Sequence, residues 1–215
     1  MTETSLAKTI AVLGARDADH AEVRHALADR IRARGLRPML VGGTEPMDTA
    51  VGLLRTVDWS MTFDAVVDAC TRERHAYWSA ATADVLLVDG TALRALARYQ
   101  VGLTLRGDEF DPSIRGWLEG PAMAAAARYD AVIHVRSSAG APRGECLVDE
   151  ALAAVLDRMG RPCGAFAVTP LRSDIRHTIG VVLDSLGLGP NGDLVWLPSA
   201  NRIAIQAGQR APKGW

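Results

Sequence analysis

The sequence predicts an α/β fold: a three-layer parallel sheet of about five strands with helices on both faces. Three observations predict it. Short apolar runs bounded by Gly, Asp or Pro, such as Thr9–Leu13 and Asp84–Val88, lack polar alternation, as strands buried on both faces do. They alternate with longer segments whose apolar residues recur at i, i+3 and i+4, the helical spacing. The chain of 215 residues, 48% hydrophobic, is also large enough to bury a full core.

The first strand lies in Lys8–Gly14 (KTIAVLG). The spacing predicts a helix over Ala21–Arg34, with Val23, Leu27 and Ile31 on one face and Gly35 as its stop. Arg37–Val41 is the second strand, closed by Gly42-Gly43. Helical material follows over Asp48–Leu54 and Thr62–Ser79, where Arg72-Glu73-Arg74-His75 reads as a solvated face. Asp84–Val88 is the third strand, ending on Asp89-Gly90, and Ala92–Tyr99 is helical. Residues Arg106–Gly120 hold Gly107, Pro112 and Gly116 and suit a surface excursion or lid. Pro121–Arg128 is an alanine-rich helix, Ala131–Val135 the fourth strand and Arg136–Arg143 a loop. Leu147–Met159 is a helix, Gly164–Val168 the fifth strand and Ser173–Leu186 the last long helix. Residues 1–188 therefore read as one domain. Residues 189–215, with Val195, Trp196, Leu197, Ile203 and Ile205 among Pro, Gly and Asn, read as a C-terminal arm that packs on its own domain or on a partner subunit.

Composition narrows the function. The net charge is −1, so bulk charge offers no basis for nucleic-acid binding. Cys70, Cys146 and Cys163 are scattered and form no CxxC pattern, as expected of a reduced cytoplasmic protein. MTETSLAK has no apolar signal core, and no run is long enough to span a bilayer, so no membrane partner is expected. Lysine occurs only at Lys8 and Lys213; arginine supplies the other positive charges.

In parallel sheets, ligands bind beyond the carboxyl ends of the strands, where the strand order reverses. The turn Gly14-Ala15-Arg16-Asp17-Ala18-Asp19-His20-Ala21 looks like a phosphate-binding loop with its chemistry removed. A Walker A loop needs G-x-x-x-x-G-K-[ST], so that backbone N–H groups, a lysine and a hydroxyl wrap phosphate and Mg²⁺. Here Asp19, His20 and Ala21 hold the last three positions. Either Gly14, Arg16, His20 and the helix N-terminal amides bind phosphate, or Asp17 or Asp19 caps the helix. Asp89 suits metal or substrate binding, or a cap for the helix beginning near Thr91. Arg136, Arg143 and Arg172 follow the fourth and fifth strands; they suit bidentate phosphate or carboxylate contacts, or ordinary ion pairs. His134, inside an apolar strand, reads as a core residue. Ser137-Ser138 followed by Gly140 suits anion binding through backbone amides.

Several pieces recur in order over residues 8–187. They are the strand, Gly14 turn and helix; a strand leading to Glu45-Pro46; and a long helix ending in His75-Ala76-Tyr77-Trp78. ADVLLVDGTALRALARY (Ala83–Tyr99), ARYDAVIHVR (Ala127–Arg136) and LRSDIRHTIGVVLDSLGL (Leu171–Leu188) complete the series. This order resembles the small P-loop kinases, especially the AAA-like ATP-binding group that includes bacterial nicotinamide-riboside kinase domains. The resemblance implies a P-loop NTPase-like fold with Mg²⁺ and ATP as cofactors. It implies a catalytic Asp89 near Mg²⁺ or the acceptor hydroxyl, and Arg136 and Arg143 as lid arginines that neutralise the transferring phosphoryl group. The chain departs from that pattern at His20, which replaces lysine, at Ala21, which lacks a hydroxyl, and at Gly90, where that group often has arginine.

The expected function is a nucleotide- or phosphate-ligand-binding protein derived from a nucleoside or nucleotide kinase, with phosphoryl transfer lost or non-standard. Its expected partners are a small-molecule or nucleotide ligand and, as an option, further copies of itself. Two alternatives stand beside it. One is a non-catalytic pseudo-kinase acting through protein contact, by way of the arm residues Trp196 and Trp215. The other is a nucleotide N-glycoside hydrolase or transferase. Ile10–Ala50 is similar to the nucleotide-monophosphate phosphoribohydrolases related to lysine decarboxylases, although their PGGxGTxxE signature is absent.

Overall fold

Ile10, Ala11, Val12 and Leu13 are all fully buried, because the strand that carries them lies at the centre of the sheet. The computed structural model describes residues 7–42, 48–138, 140–158, 165–168 and 172–188. In chain order the elements are β1 (Lys8–Gly14), α1 (Asp17–Arg32), β2 (Pro38–Val41), α2 (Val51–Leu54), α3 (Trp59–Ser79) and β3 (Val85–Val88). They continue with α4 (Thr91–Arg106), α5 (Pro112–Ala126), β4 (Ala131–Val135), α6 (Arg143–Arg158), β5 (Ala165–Val168) and α7 (Arg172–Ser185). The five strands form one sheet in the order β2-β3-β1-β4-β5, and every neighbouring pair is parallel.

Side chains of β1 alternate between two cores, as the two-residue period of a strand requires. Ile10 and Val12 face Val23, Leu27 and Ile31 of α1 and Ile175, Ile179 and Val182 of α7. Ala11 and Leu13 face the other side, with Val66 of α3, Leu93 and Leu96 of α4, Leu118 of α5 and Leu152 of α6. Helices therefore cover both faces of the sheet, as the unbroken apolar strands predict. Among the described residues, no helix is long and apolar enough to cross a membrane.

Three local expectations are corrected. The helix after β1 starts at Asp17, with Arg16 as its N-cap, so the connection shrinks to Ala15 and Arg16, and neither Asp17 nor Asp19 is the cap. Acidic residue types favour the first turn of a helix, which extends α1 backwards from its first apolar residues. Second, the helix after β3 continues beyond Tyr99 to Arg106, where Gly107 ends it at φ 78°. Third, residues 112–120 are helical, not the mixed stretch expected for a surface excursion or lid. They form the first part of α5 and run on into the expected alanine-rich helix; the Asp111 carboxylate accepts the Ser113 and Ile114 N–H groups at 2.7 and 3.3 Å. Pro112 sits in the first turn, where its missing N–H costs nothing. The arm proposed over 189–215 and the Gly43–Met47 turn lie outside the described residues.

Candidate functional site

The chain leaves β1 through α1 on one face of the sheet and leaves β3 through α4 on the other. The connections from these adjacent strands diverge, which opens the crevice where parallel sheets place their ligands.

Asp89 follows β3 at this point and is buried. Its Oδ1 accepts the Thr91 backbone N–H at 3.1 Å and the Thr91 hydroxyl at 2.5 Å, which settles the first turn of α4. Between them Gly90 has φ 61°, and a Cβ there would come within 2.7 Å of Leu13 Cδ2, so glycine is required. The other oxygen, Asp89 Oδ2, lies 4.0 Å from Nη1 of Arg24, an α1 residue whose side chain is 14% exposed. The same Nη1 donates to the Val41 carbonyl at 3.3 Å. Both groups converge on Gly42, where a Cβ would overlap Arg24 Nη1 and stand 2.7 Å from Asp89 Oδ2.

A second charged cluster lies at the carboxyl end of β4, the strand on the other side of β1; there Gly14 is in register with Val135. Arg136 Nε donates to Asp149 Oδ2 at 3.0 Å, and the arginine side chain is 45% exposed while that of Asp149 is 7% exposed. Asp149 Oδ1 lies 2.6 Å from Nε2 of buried His134, close but out of hydrogen-bonding line. Burial alone would raise the Asp149 carboxyl, but His134 and Arg136 outweigh it and hold the pKa below the usual carboxylate value. His134 is a core residue, as expected, and it also braces the carboxylate that holds Arg136. Asp149 was not singled out from the sequence. Its one signal is a carboxylate beside the buried stripe Val148, Leu152 and Val155 of α6.

The remaining candidates are placed less closely. Arg16 is exposed at the N-cap of α1, and Arg143 is exposed at the first position of α6. The side chains of His20 and Arg172 lie outside the described residues. Next to Arg143, Gly144 packs on the Thr49 carbonyl so closely that a Cβ would overlap the oxygen. Gly144→Ala is therefore expected to destabilise the protein by about 1–3 kcal/mol through overpacking, seen as a lower urea midpoint. An unchanged midpoint would mean that this contact is not held in solution.

Away from this edge, Glu73 of α3 is buried, which corrects the solvated reading of its run; Arg72, Arg74 and His75 are exposed as expected. The Tyr129 hydroxyl donates to both Glu73 oxygens, at 3.0 and 2.8 Å. The pair lines a cavity of about 10 Å³ with Thr9, Tyr77, Leu86, Val88 and Arg128, room for one water. Burial pushes Glu73 up to about 7, against the Tyr129 hydrogen bond, and raises Tyr129 well above its ordinary value.

These residues do not fit Mg·ATP in the manner of a Walker A site. A two-residue turn is too short to wrap a phosphate, and both Asp89 oxygens face donors. Among the described residues, no group of three His, Cys, Asp or Glu could hold a metal ion. No protein-family model matches the chain, and no curated protein matches it significantly.

Proposed function

We propose that this protein binds a phosphate-bearing small molecule, a nucleotide or a close relative, at the carboxyl edge of its sheet. We place the chain as a descendant of the P-loop kinases that has given up their standard phosphoryl transfer. The observation that carries this reading is the anchored arginine. Buried Asp149 fixes Arg136 through Nε and leaves a half-exposed guanidinium at the end of β4, beside the β1 turn. An arginine whose plane is already set loses less entropy on meeting an oxyanion. Arg16 and Arg143 add positive charge to that edge, and Gly14 ends β1 there. His20 and Arg172 are carried as candidates from the sequence. The strand order β2-β3-β1-β4-β5 supports the kinase-like descent by setting the β1 turn between the Asp89 and Arg136 strands.

Thermal unfolding against ATP, GTP, nucleoside monophosphates, pyrophosphate and plain nucleosides tests the reading. A ligand at 100 times its Kd adds about 2.7 kcal/mol, which moves the midpoint of a chain this size by roughly 5–10 °C. The phosphate-bearing compounds are expected to shift it, less so in Arg136→Ala, and plain nucleosides are not. No shift with any of them contradicts the proposal.

The second reading, a pseudo-kinase acting through protein contact, is favoured by the exposed indoles of Trp59, Trp78 and Trp117, the last packed 6.3 Å from the Phe63 ring. It predicts a solution mass that rises with concentration and falls back in Trp117→Ser. A constant monomer mass counts against self-association.

A further inference from the structure

We infer that Arg24 is a built-in counterion that takes the place of a divalent cation at the end of β3. It rests on the proposed ligand site in one respect: the phosphate-bearing ligand is then bound without a metal. Two oxygens converge at this point, the Val41 carbonyl and Asp89 Oδ2. A carbonyl and a carboxylate are the hard donors that Mg²⁺ or Mn²⁺ takes. Between them stands Arg24 Nη1, 3.3 Å from the first and 4.0 Å from the second.

The arginine is not there as a casual surface charge. Its side chain is 14% exposed, and its Nε is buried with no hydrogen-bond partner among the described residues. Leaving such a donor unmet is unfavourable; at the tip, Nη1 donates to the Val41 carbonyl and pairs with Asp89 Oδ2. The approach also depends on Gly42, since any Cβ at that position would occupy the space of the guanidinium.

Charge adds to the case. Arg24 and Asp89 together are neutral, so the pair by itself does not attract a dication. A metal bound to Asp89 Oδ2 would also press against a fixed guanidinium in a poorly solvated crevice, where like charges repel strongly. The protein's own cation is covalently supplied from α1 and cannot dissociate.

The test uses Mn²⁺ alone on the full chain, followed by the loss of the free-ion paramagnetic resonance signal. Wild type and Arg24→Lys, which keeps the charge, are expected to show no saturable Mn²⁺ binding. Arg24→Gln takes the guanidinium away from the two oxygens and is expected to gain a Mn²⁺ site that the added Asp89→Asn change abolishes. Mn²⁺ binding by wild type that Asp89→Asn removes would overturn the inference, as would a folded Arg24→Gln that gains no site. A second arm needs only wild type: the ATP-induced thermal shift in EDTA and in Mg²⁺. Equal shifts are expected. A shift that appears only with Mg²⁺ overturns the metal-free inference and leaves the binding proposal standing. No shift in either buffer overturns the binding proposal, and the Mn²⁺ titration then decides the role of Arg24 by itself.

Discussion

Glu73→Gln is expected to raise the thermal midpoint at pH 8 and to leave it unchanged near pH 4. Burial lifts the native Glu73 carboxyl from an ordinary 4.5 to about 7. Asp89 adds to the rise, while Tyr129, Arg128 and Arg72 oppose it. Tyr77 and Thr9 complete the lining, and neighbouring Cys70 is itself raised, chiefly by burial and then by Glu73. Between these two pH values the folded protein holds a proton that the unfolded chain has released. Stability therefore falls as pH rises through that window and is lowest above it. The full loss is about 3 kcal/mol for a shift of this size. Glutamine keeps an oxygen to accept the Tyr129 hydroxyl and carries no charge at any pH. At pH 8 the variant should gain up to that amount, roughly 6–12 °C in midpoint, and its stability should lose most of the wild-type slope between pH 4.5 and 7. Parallel pH profiles for the two proteins would show that Glu73 is solvated in the native state.

Asp149→Ala carries the second large effect. The substitution leaves His134 buried beside an empty space and releases Arg136 from its anchor. Removing one partner of a buried ionic cluster typically costs about 3–5 kcal/mol; the exposed half of Arg136 can rehydrate, so the lower end is expected here. The pH dependence has the opposite sign to that of Glu73. The native Asp149 pKa lies below the usual value, so its contribution is present above the unfolded value of about 4 and is lost as pH falls through the lower native one. The gap between wild type and variant in urea unfolding should accordingly narrow in acid. The same variant should show a smaller pyrophosphate-induced thermal shift although Arg136 is intact, because the guanidinium no longer has a fixed plane. Loss of stability with a full ligand shift would separate the cluster from binding and leave it a purely structural device.

The layout of the sheet was legible because strands buried on both faces carry few polar residues, so β1, β3 and β4 stand out as nearly unbroken apolar runs. The first half of α5 was hidden by its own residues. Pro112 and Gly116 read as breakers, yet a proline in the first turn behind an aspartate cap begins a helix rather than ending one. The start of α1 was missed for a related reason: its first turn has no large apolar residue to announce the period. At the candidate site, Asp89 and Arg136 were singled out by position, since strand ends are where chemistry collects in such sheets. Their partners were not. Arg24 meets Asp89 from a helix 65 positions away in sequence numbering, and His134 meets Asp149 only when α6 folds back on β4. Glu73 was masked by three exposed neighbours in the run Arg72–His75. Pairings of this kind are made by packing, and no local pattern encodes them.

The central claim is that Arg136 presents a fixed cation to a phosphate-bearing ligand at this edge. Calorimetric titration of ATP and of pyrophosphate into wild type and Arg136→Ala tests it most directly. Saturable binding to wild type, weakened roughly tenfold or more in the variant as expected for a lost charged hydrogen bond, is the predicted result. No binding to wild type, or equal affinity in the two proteins, would contradict the account.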